Sequence, residues 1–140
     1  MYKTGFICGF FDLVHDGHID ILRQAKEMCD YLIVGVGTDE FMETRKNRKS
    51  VLSYSQRCAI VNAIRYVDKV VPETDLDKLG EWRKYHFDVM FAGDDHLHEG
   101  IYIDATKRLK ELGVDTVYIP RRINESSTDI RQKVRQICKV

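Results

Sequence analysis

The sequence has no surplus of either charge: 22 Lys and Arg balance 22 Asp and Glu, for a formal net charge of zero. Nothing at the level of the whole chain therefore advertises nucleic acid or an anionic membrane as a partner. Long hydrophobic runs are missing too. The apolar stretches are strand-length, far short of the roughly 20 residues needed to span a bilayer, and residues 1–5 lead into a strand pattern with no signal-peptide features. Cys8, Cys29, Cys58 and Cys138 are scattered, without a Cys-x-x-Cys or a histidine at metal-site spacing. Disulfide and metal-site readings are both poor, and reduced, mostly buried thiols in a cytoplasmic protein are expected. No repeat, low-complexity tract or linker divides the chain, so residues 1–140 read as one domain.

What is present alternates between two periods. Short continuous apolar runs at 3–9, 31–37, 67–72, 87–92 and 114–120 read as buried strands, the third stopped by Pro72. Helical spacing fills the intervals. One helix runs over 17–29, and another starts at Thr38-Asp39, either of which can cap it. A third is capped by Ser53, with Gln56 completing a capping box and Cys58, Ile60, Val61 and Ile64 as its apolar face. Further helices cover 75–85, 102–112 (ended by Gly113) and 126–138. The expectation is an α/β fold, a three-layer sandwich around a mainly parallel five-stranded Rossmann-like sheet, with ligands outside the carboxyl ends of the strands.

The chemistry-bearing residues crowd into the loops at that edge. In Gly9-Phe10-Phe11-Asp12-Leu13-Val14-His15-Asp16-Gly17-His18 a strand ends, a loop carries Asp12 and His15, and a helix begins. A helix start offers free N–H groups and a favourable dipole to phosphate, and Gly17 lets a phosphate approach the backbone. Residues 45–50, Arg45-Lys46-Asn47-Arg48-Lys49-Ser50, form a basic run that reads either as a solvated loop or as a flap closing over a triphosphate. Asp94 and Asp95 are either a solvated turn or, through Asp94, a reader of the base. Arg57 and Arg65 either bind an acceptor phosphate or pair with Asp39 and Asp68. His96 and His98 read as surface loop residues rather than a metal pair. No Ser–His–Asp or Cys–His arrangement offers a nucleophile.

The stretch 9–18 resembles the signature of the cytidylyltransferase-like nucleotidyltransferases, and within them the glycerol-3-phosphate cytidylyltransferases. The likeness continues in Thr38-Asp39-Glu40-Phe41, Ser53-Tyr54-Ser55-Gln56-Arg57, Ile64-Arg65-Tyr66-Val67-Asp68, Gly93-Asp94-Asp95, and Arg121 with Ser126-Ser127-Thr128. It implies transfer of a cytidylyl group from CTP to a small phosphorylated alcohol with release of pyrophosphate, Mg²⁺ held by phosphate oxygens, and a homodimer serving cell-wall or capsule precursor synthesis. No nucleic-acid or membrane partner is implied.

Under the resemblance, His15, His18, Lys46 and Arg121 are the catalytic groups. Gly9, Phe10, Phe11, Gly17, Lys49, Asp94, Ser126, Ser127 and Thr128 hold the nucleotide, with Lys46, Arg48 and Lys49 competing for the phosphate-binding positions. Asp12, Asp39, Arg57 and Arg65 hold the acceptor, and Asp12 can alternatively anchor the signature loop. The chain departs from the pattern at Arg122-Ile123-Asn124-Glu125, at His96-Leu97-His98 where the family places Trp, and by one extra residue in the basic run. Acceptor identity is the expectation these departures touch most. Adenylyl transfer from ATP, and a nucleotide-binding regulatory module without turnover, are the alternatives.

Overall fold

The computed structural model describes residues 1–122 and 126–138; Ile123, Asn124 and Glu125 of the divergent segment lie outside the described residues. In chain order the elements are β1 (Tyr2–Gly9), α1 (Asp16–Glu27), β2 (Cys29–Gly37), α2 (Asp39–Lys46), α3 (Tyr54–Asn62), β3 (Lys69–Glu73), α4 (Lys78–Tyr85), β4 (Val89–Gly93), a 3₁₀ turn (Asp94–His96), α5 (Gly100–Glu111), β5 (Asp115–Ile119) and α6 (Ser127–Cys138). The strands form one five-stranded sheet in the order β3-β2-β1-β4-β5, and every pair is parallel.

Period-2 alternation sorts the strand residues into two cores. Ile7, Leu32, Val34, Val36, Val89 and Phe91 face one side, against Leu22 and Ala25 of α1 and Val61 of α3. Phe6, Ile33, Val71, Met90 and Ala92 face the other, against Tyr102 and Leu109 of α5 with Leu79 and Trp82 of α4. Each large apolar side chain buried this way contributes about 1.5–3 kcal/mol. The chain steps from β1 to β2 in one direction and from β4 to β5 in the other. Right-handed crossovers then place α1 and α5 on opposite faces. The reversal opens a crevice at the carboxyl ends of β1 and β4, the position where open α/β sheets bind ligands.

Three expectations change. Pro72 does not stop β3; it pairs opposite Val36 inside the strand, which is tolerated because β3 is an edge and one side of its ladder has no partner. The basic run is not all loop, since α2 continues through Lys46 and ends at Asn47 in the left-handed conformation (φ 54°). On α3, Ile60 is 40% exposed while Arg57 is fully buried, so the apolar-face reading of that helix was incomplete. Gly113, with φ of 80°, ends α5 as expected.

A buried acidic group on α4 yields a stability prediction. Glu81 is 3% exposed, and its Oε2 is enclosed without a hydrogen-bond partner among the described residues. Burial, with the charge of Glu73 added, pushes its carboxyl up from the usual 4.5 to about 7. The folded state therefore binds more protons than the unfolded state between those pH values, so this group makes stability fall as pH rises through that window. Glu81→Gln is expected to raise Tm at pH 8 by about 4 °C and to change it little at pH 4.5. Thermal unfolding at the two pH values checks this.

Candidate active site

The loop leaving β1 is strained and held from several sides. Phe11 (φ 54°) and Leu13 (φ 58°) both lie in the left-handed region, which costs a non-glycine residue on the order of 1 kcal/mol or more. Burial of the Phe11 ring offsets part of that cost. Asp12, 3% exposed, accepts hydrogen bonds from the backbone N–H groups of Val51 (2.9 Å) and Leu52 (3.0 Å). Arg48 and Arg131 stand 3.9 and 3.6 Å from the same carboxylate. From α6, the Ser127 hydroxyl donates to the carbonyl of Asp12 at 2.8 Å. Asp12 thus anchors the signature loop to the basic run, and its carboxylate is spent on that rather than turned toward an acceptor.

His15 and His18 cap α1 reciprocally. His15 Nδ1 accepts from the Gly17 N–H at 3.0 Å, and His18 Nδ1 accepts from the His15 N–H at 3.2 Å. An imidazole that accepts at Nδ1 carries its proton on Nε2. Both rings therefore turn an Nε2–H donor away from the helix backbone, and their centroids are 4.2 Å apart. The two rings share a small cavity at the helix end with Arg121, Ser126 and Ser127. Burial first, then the neighbouring His15 and Arg121, lower the His18 pKa to about 4, so the ring is neutral at physiological pH.

This cavity shares His18, Ile21 and Arg121 with a central one between the ends of β1 and β4, where Gly9 and Gly93 face each other. A Cβ at Gly93 would sit 2.5 Å from Asp95 Oδ1, so a larger residue there would displace that carboxylate from its place beside the strand end. A third, lateral cavity shares Cys8, Gly9, Phe10, Asp95 and His96 with the central one. Its opposite wall carries Arg45 and Lys46, with Lys46 Nζ 5.8 Å from the centre of the Phe10 ring. Lys78, itself buried, bonds Glu73 at 2.7 Å and Cys8 Sγ at 2.8 Å along its floor.

Several residues do not stand where the sequence reading put them. Arg57 has no exposed surface. Its guanidinium donates to the carbonyls of Phe10 (2.7 Å), Gly37 (2.6 Å) and Leu52 (3.1 Å) and to Asp39 Oδ1 (2.8 Å), and its burial keeps it from an acceptor. Asp39 also takes Ser50 Oγ and the Tyr54 N–H, and Arg57, the largest influence, holds its carboxyl below the usual range. Arg65 is exposed between the end of α3 and the start of β3, at the amino edge of the parallel sheet, away from the cavities. Asp94 is exposed and lines none of these three cavities, whereas Asp95 lines two.

Among the competing cations, Lys46 lines the lateral cavity, Arg48 faces Asp12 and Lys49 is exposed. The Thr128 hydroxyl accepts from Arg131 Nη2 at 3.1 Å. Arg122 turns to α1 and donates to Gln24 at 3.0 Å. His96, read as a surface residue, lines two cavities, while His98 is exposed as expected. Sequence reasoning missed Arg131 altogether. Its one available signal was its place three residues after Thr128, in the first turn of the last helix.

Two measurements follow. Arg57→Lys keeps the charge but loses the planar fork, and removal of such a buried, multiply bonded group is expected to cost about 3–5 kcal/mol by chemical denaturation. In an NMR pH titration, the His18 ring is expected to titrate near pH 4, and Arg121→Ala should move that midpoint upward.

The sequence model of the Cytidylyltransferase-like family matches residues 6–133. The chain is 40% identical over 127 residues to a glycerol-3-phosphate cytidylyltransferase of Bacillus subtilis, covering 90% of this chain and 92% of that protein. The figure for the Staphylococcus aureus glycerol-3-phosphate cytidylyltransferase is 41%, covering 90% of each. An FAD synthase of Pyrococcus horikoshii is 31% identical, covering 92% of this chain and 90% of that protein. Among solved structures, a lipopolysaccharide core biosynthesis protein of Thermoplasma volcanium superposes with a TM-score of 0.72 at 19% identity, over 89% of this chain and 100% of that one, a likeness of fold. With the histidine-capped helix at the crevice of a five-stranded parallel sheet, the chain belongs to the cytidylyltransferase-like family.

Proposed function

We propose that this chain transfers the cytidylyl group of CTP to the phosphate of glycerol-3-phosphate, giving CDP-glycerol and pyrophosphate. The observation that carries the reading is the pair of histidines whose Nδ1 atoms are occupied by backbone N–H groups, so that two fixed Nε2–H donors face a cavity lined by Arg121 and the start of α6. The similarity to the two glycerol-3-phosphate cytidylyltransferases supports the choice of substrates.

An oxygen of the acceptor phosphate attacks the α-phosphorus. The bond from that phosphorus to the bridging oxygen breaks, and pyrophosphate leaves. Such a transfer needs in-line placement and positive potential rather than a protein nucleophile. His15 and His18 donate from Nε2 to oxygens on which charge develops. Arg121 adds a fixed positive charge, and the N–H groups at the start of α6 that the Ser126–Asp129 cap leaves open receive the departing phosphates. Gly17 keeps the helix end open to them. Lys46 faces the acceptor phosphate from the lateral cavity, and the base lies in the central cavity against Gly9, Phe10 and Asp95.

Among the described residues no group of three or more His, Cys, Asp or Glu could hold a metal ion. That suits Mg²⁺ carried in on phosphate oxygens and water, as this ion usually is, where it would neutralise phosphate charge. The reading takes the enzyme as a homodimer, as the resemblance implies, of cytoplasmic single-domain subunits, as length and composition suggest. No helix among the described residues is long and apolar enough to cross a membrane.

The FAD synthase similarity favours one second reading, adenylyl transfer from ATP. Pyrophosphate release, measured with CTP and ATP crossed against glycerol-3-phosphate, phosphocholine, phosphoethanolamine and ribitol-5-phosphate, separates the two. Turnover is expected with CTP and glycerol-3-phosphate. His18→Ala should lower kcat by about 10²–10³-fold, the scale for losing one preorganised donor. Turnover with ATP in place of CTP would select the second reading. Tight CTP binding without turnover would leave a nucleotide-binding regulatory module.

A further inference from the structure

The 3₁₀ turn after β4 places His96 where the lateral and central cavities meet. Its ring is fixed on two sides. One face stacks on Tyr102 of α5, with centroids 4.6 Å apart and planes at 22°. Nδ1 is enclosed 3.0 Å from Glu99 Oε1, off the line of a hydrogen bond. Nε2 lies 3.9 Å from Asp95 Oδ2, makes no hydrogen bond among the described residues, and is the ring nitrogen left open. Tyr102 is itself 8% exposed, and Lys78 Nζ stands 5.5 Å from the centre of its ring, so the stack rests on a packed floor.

We propose that His96 is the acceptor-specificity residue of this site: stacked on Tyr102 with Nδ1 turned to Glu99, its ring presents Nε2 to a hydroxyl on the alcohol chain of a polyol phosphate. The proposal rests on the transfer reading above and deepens it. The charge layout of the lateral cavity supports the orientation. Arg45 and Lys46 lie on one wall and draw the phosphate. The carboxylates of Asp95 and Glu99 flank His96 and repel an anion from its side. A neutral hydroxyl group can donate to Nε2 or accept from it, whichever proton the ring carries. A site that hydrogen-bonds a substrate hydroxyl discriminates against the analogue lacking it, because its own polar group is then left unpaired.

The test is steady-state kinetics at saturating CTP with three acceptors: glycerol-3-phosphate, 3-hydroxypropyl phosphate, which lacks the middle hydroxyl, and 2-hydroxypropyl phosphate, which lacks the terminal one. The unsubstituted protein, His96→Ala and His96→Gln are compared. The ring is partly exposed, so both variants are expected to fold. His96→Ala should lower kcat/KM for glycerol-3-phosphate by about 10-fold, mainly through KM, and leave it unchanged for one of the two analogues. His96→Gln should recover part of the loss, and KM for CTP should stay within about twofold throughout. Equal losses on all three acceptors, or a loss confined to CTP, would overturn the inference while sparing the transfer reading. Absence of turnover by the unsubstituted protein would remove the transfer reading and this inference with it.

Discussion

A single guanidinium, fully removed from water, holds the working edge of the sheet together. Arg57 reaches from α3 and donates to the first carbonyl of the loop that leaves β1, to the end of β2, and to the exit of the basic run, with Asp39 as its counter-charge. Those carbonyls lie where regular hydrogen bonding has stopped, and the one at Gly37 is buried, so without such a donor it would lack a partner. The planar five-donor fork suits the task in a way an ammonium does not. Burying the charge is costly, and the return is geometric: three loops that must present groups to one crevice are fixed to one another at their roots.

On that base the strained loop becomes affordable. Phe11 and Leu13 occupy backbone conformations that β-carbon sterics disfavour, and they stay there because Asp12 between them is locked to the chain at Val51 and Leu52. Ser127 ties the same loop to α6. The basic run, the signature loop and the last helix are thereby one hydrogen-bonded unit, although they are far apart in sequence. Inside it the electrostatics divide the work. Arg121 carries permanent charge, while burial keeps His18 a neutral donor beside it. A second permanent cation in the same small space would repel the first.

The fold was largely legible because its signals are local. Strand-length apolar runs, a capping box at Ser53 and a glycine after α5 each act within a few residues of where they stand. The crevice followed from topology, and the histidine pair from its spacing. What stayed hidden depends on contacts distant in sequence. Arg57 read as a candidate ligand because no pattern within α3 says that Phe10, Gly37 and Leu52 converge on it. Arg65 shared that reading, though its place beyond α3 puts it at the wrong edge. Asp94 and Asp95 are neighbours, and only the path of the 3₁₀ turn decides that the second lines the cavities. His96 looked like an exposed loop residue because the aromatic partner that holds it lies on the next helix.

The reciprocal cap on α1 also limits what this site can become. The groups that start the helix and the groups that face the crevice are opposite sides of the same two rings. A side chain at either position has to accept from the backbone on one side and donate across a rigid plane on the other. Imidazole is the one natural side chain with a nitrogen for each task at opposite sides of a small ring. Substitution therefore changes helix initiation and chemistry together, and the two cannot drift apart. Lys46, Asp95 and His96 hang from helix ends and turns that begin no element through their own side chains. Variation in substrate can accumulate there, while the nucleotide chemistry stays tied to the folding of the first helix.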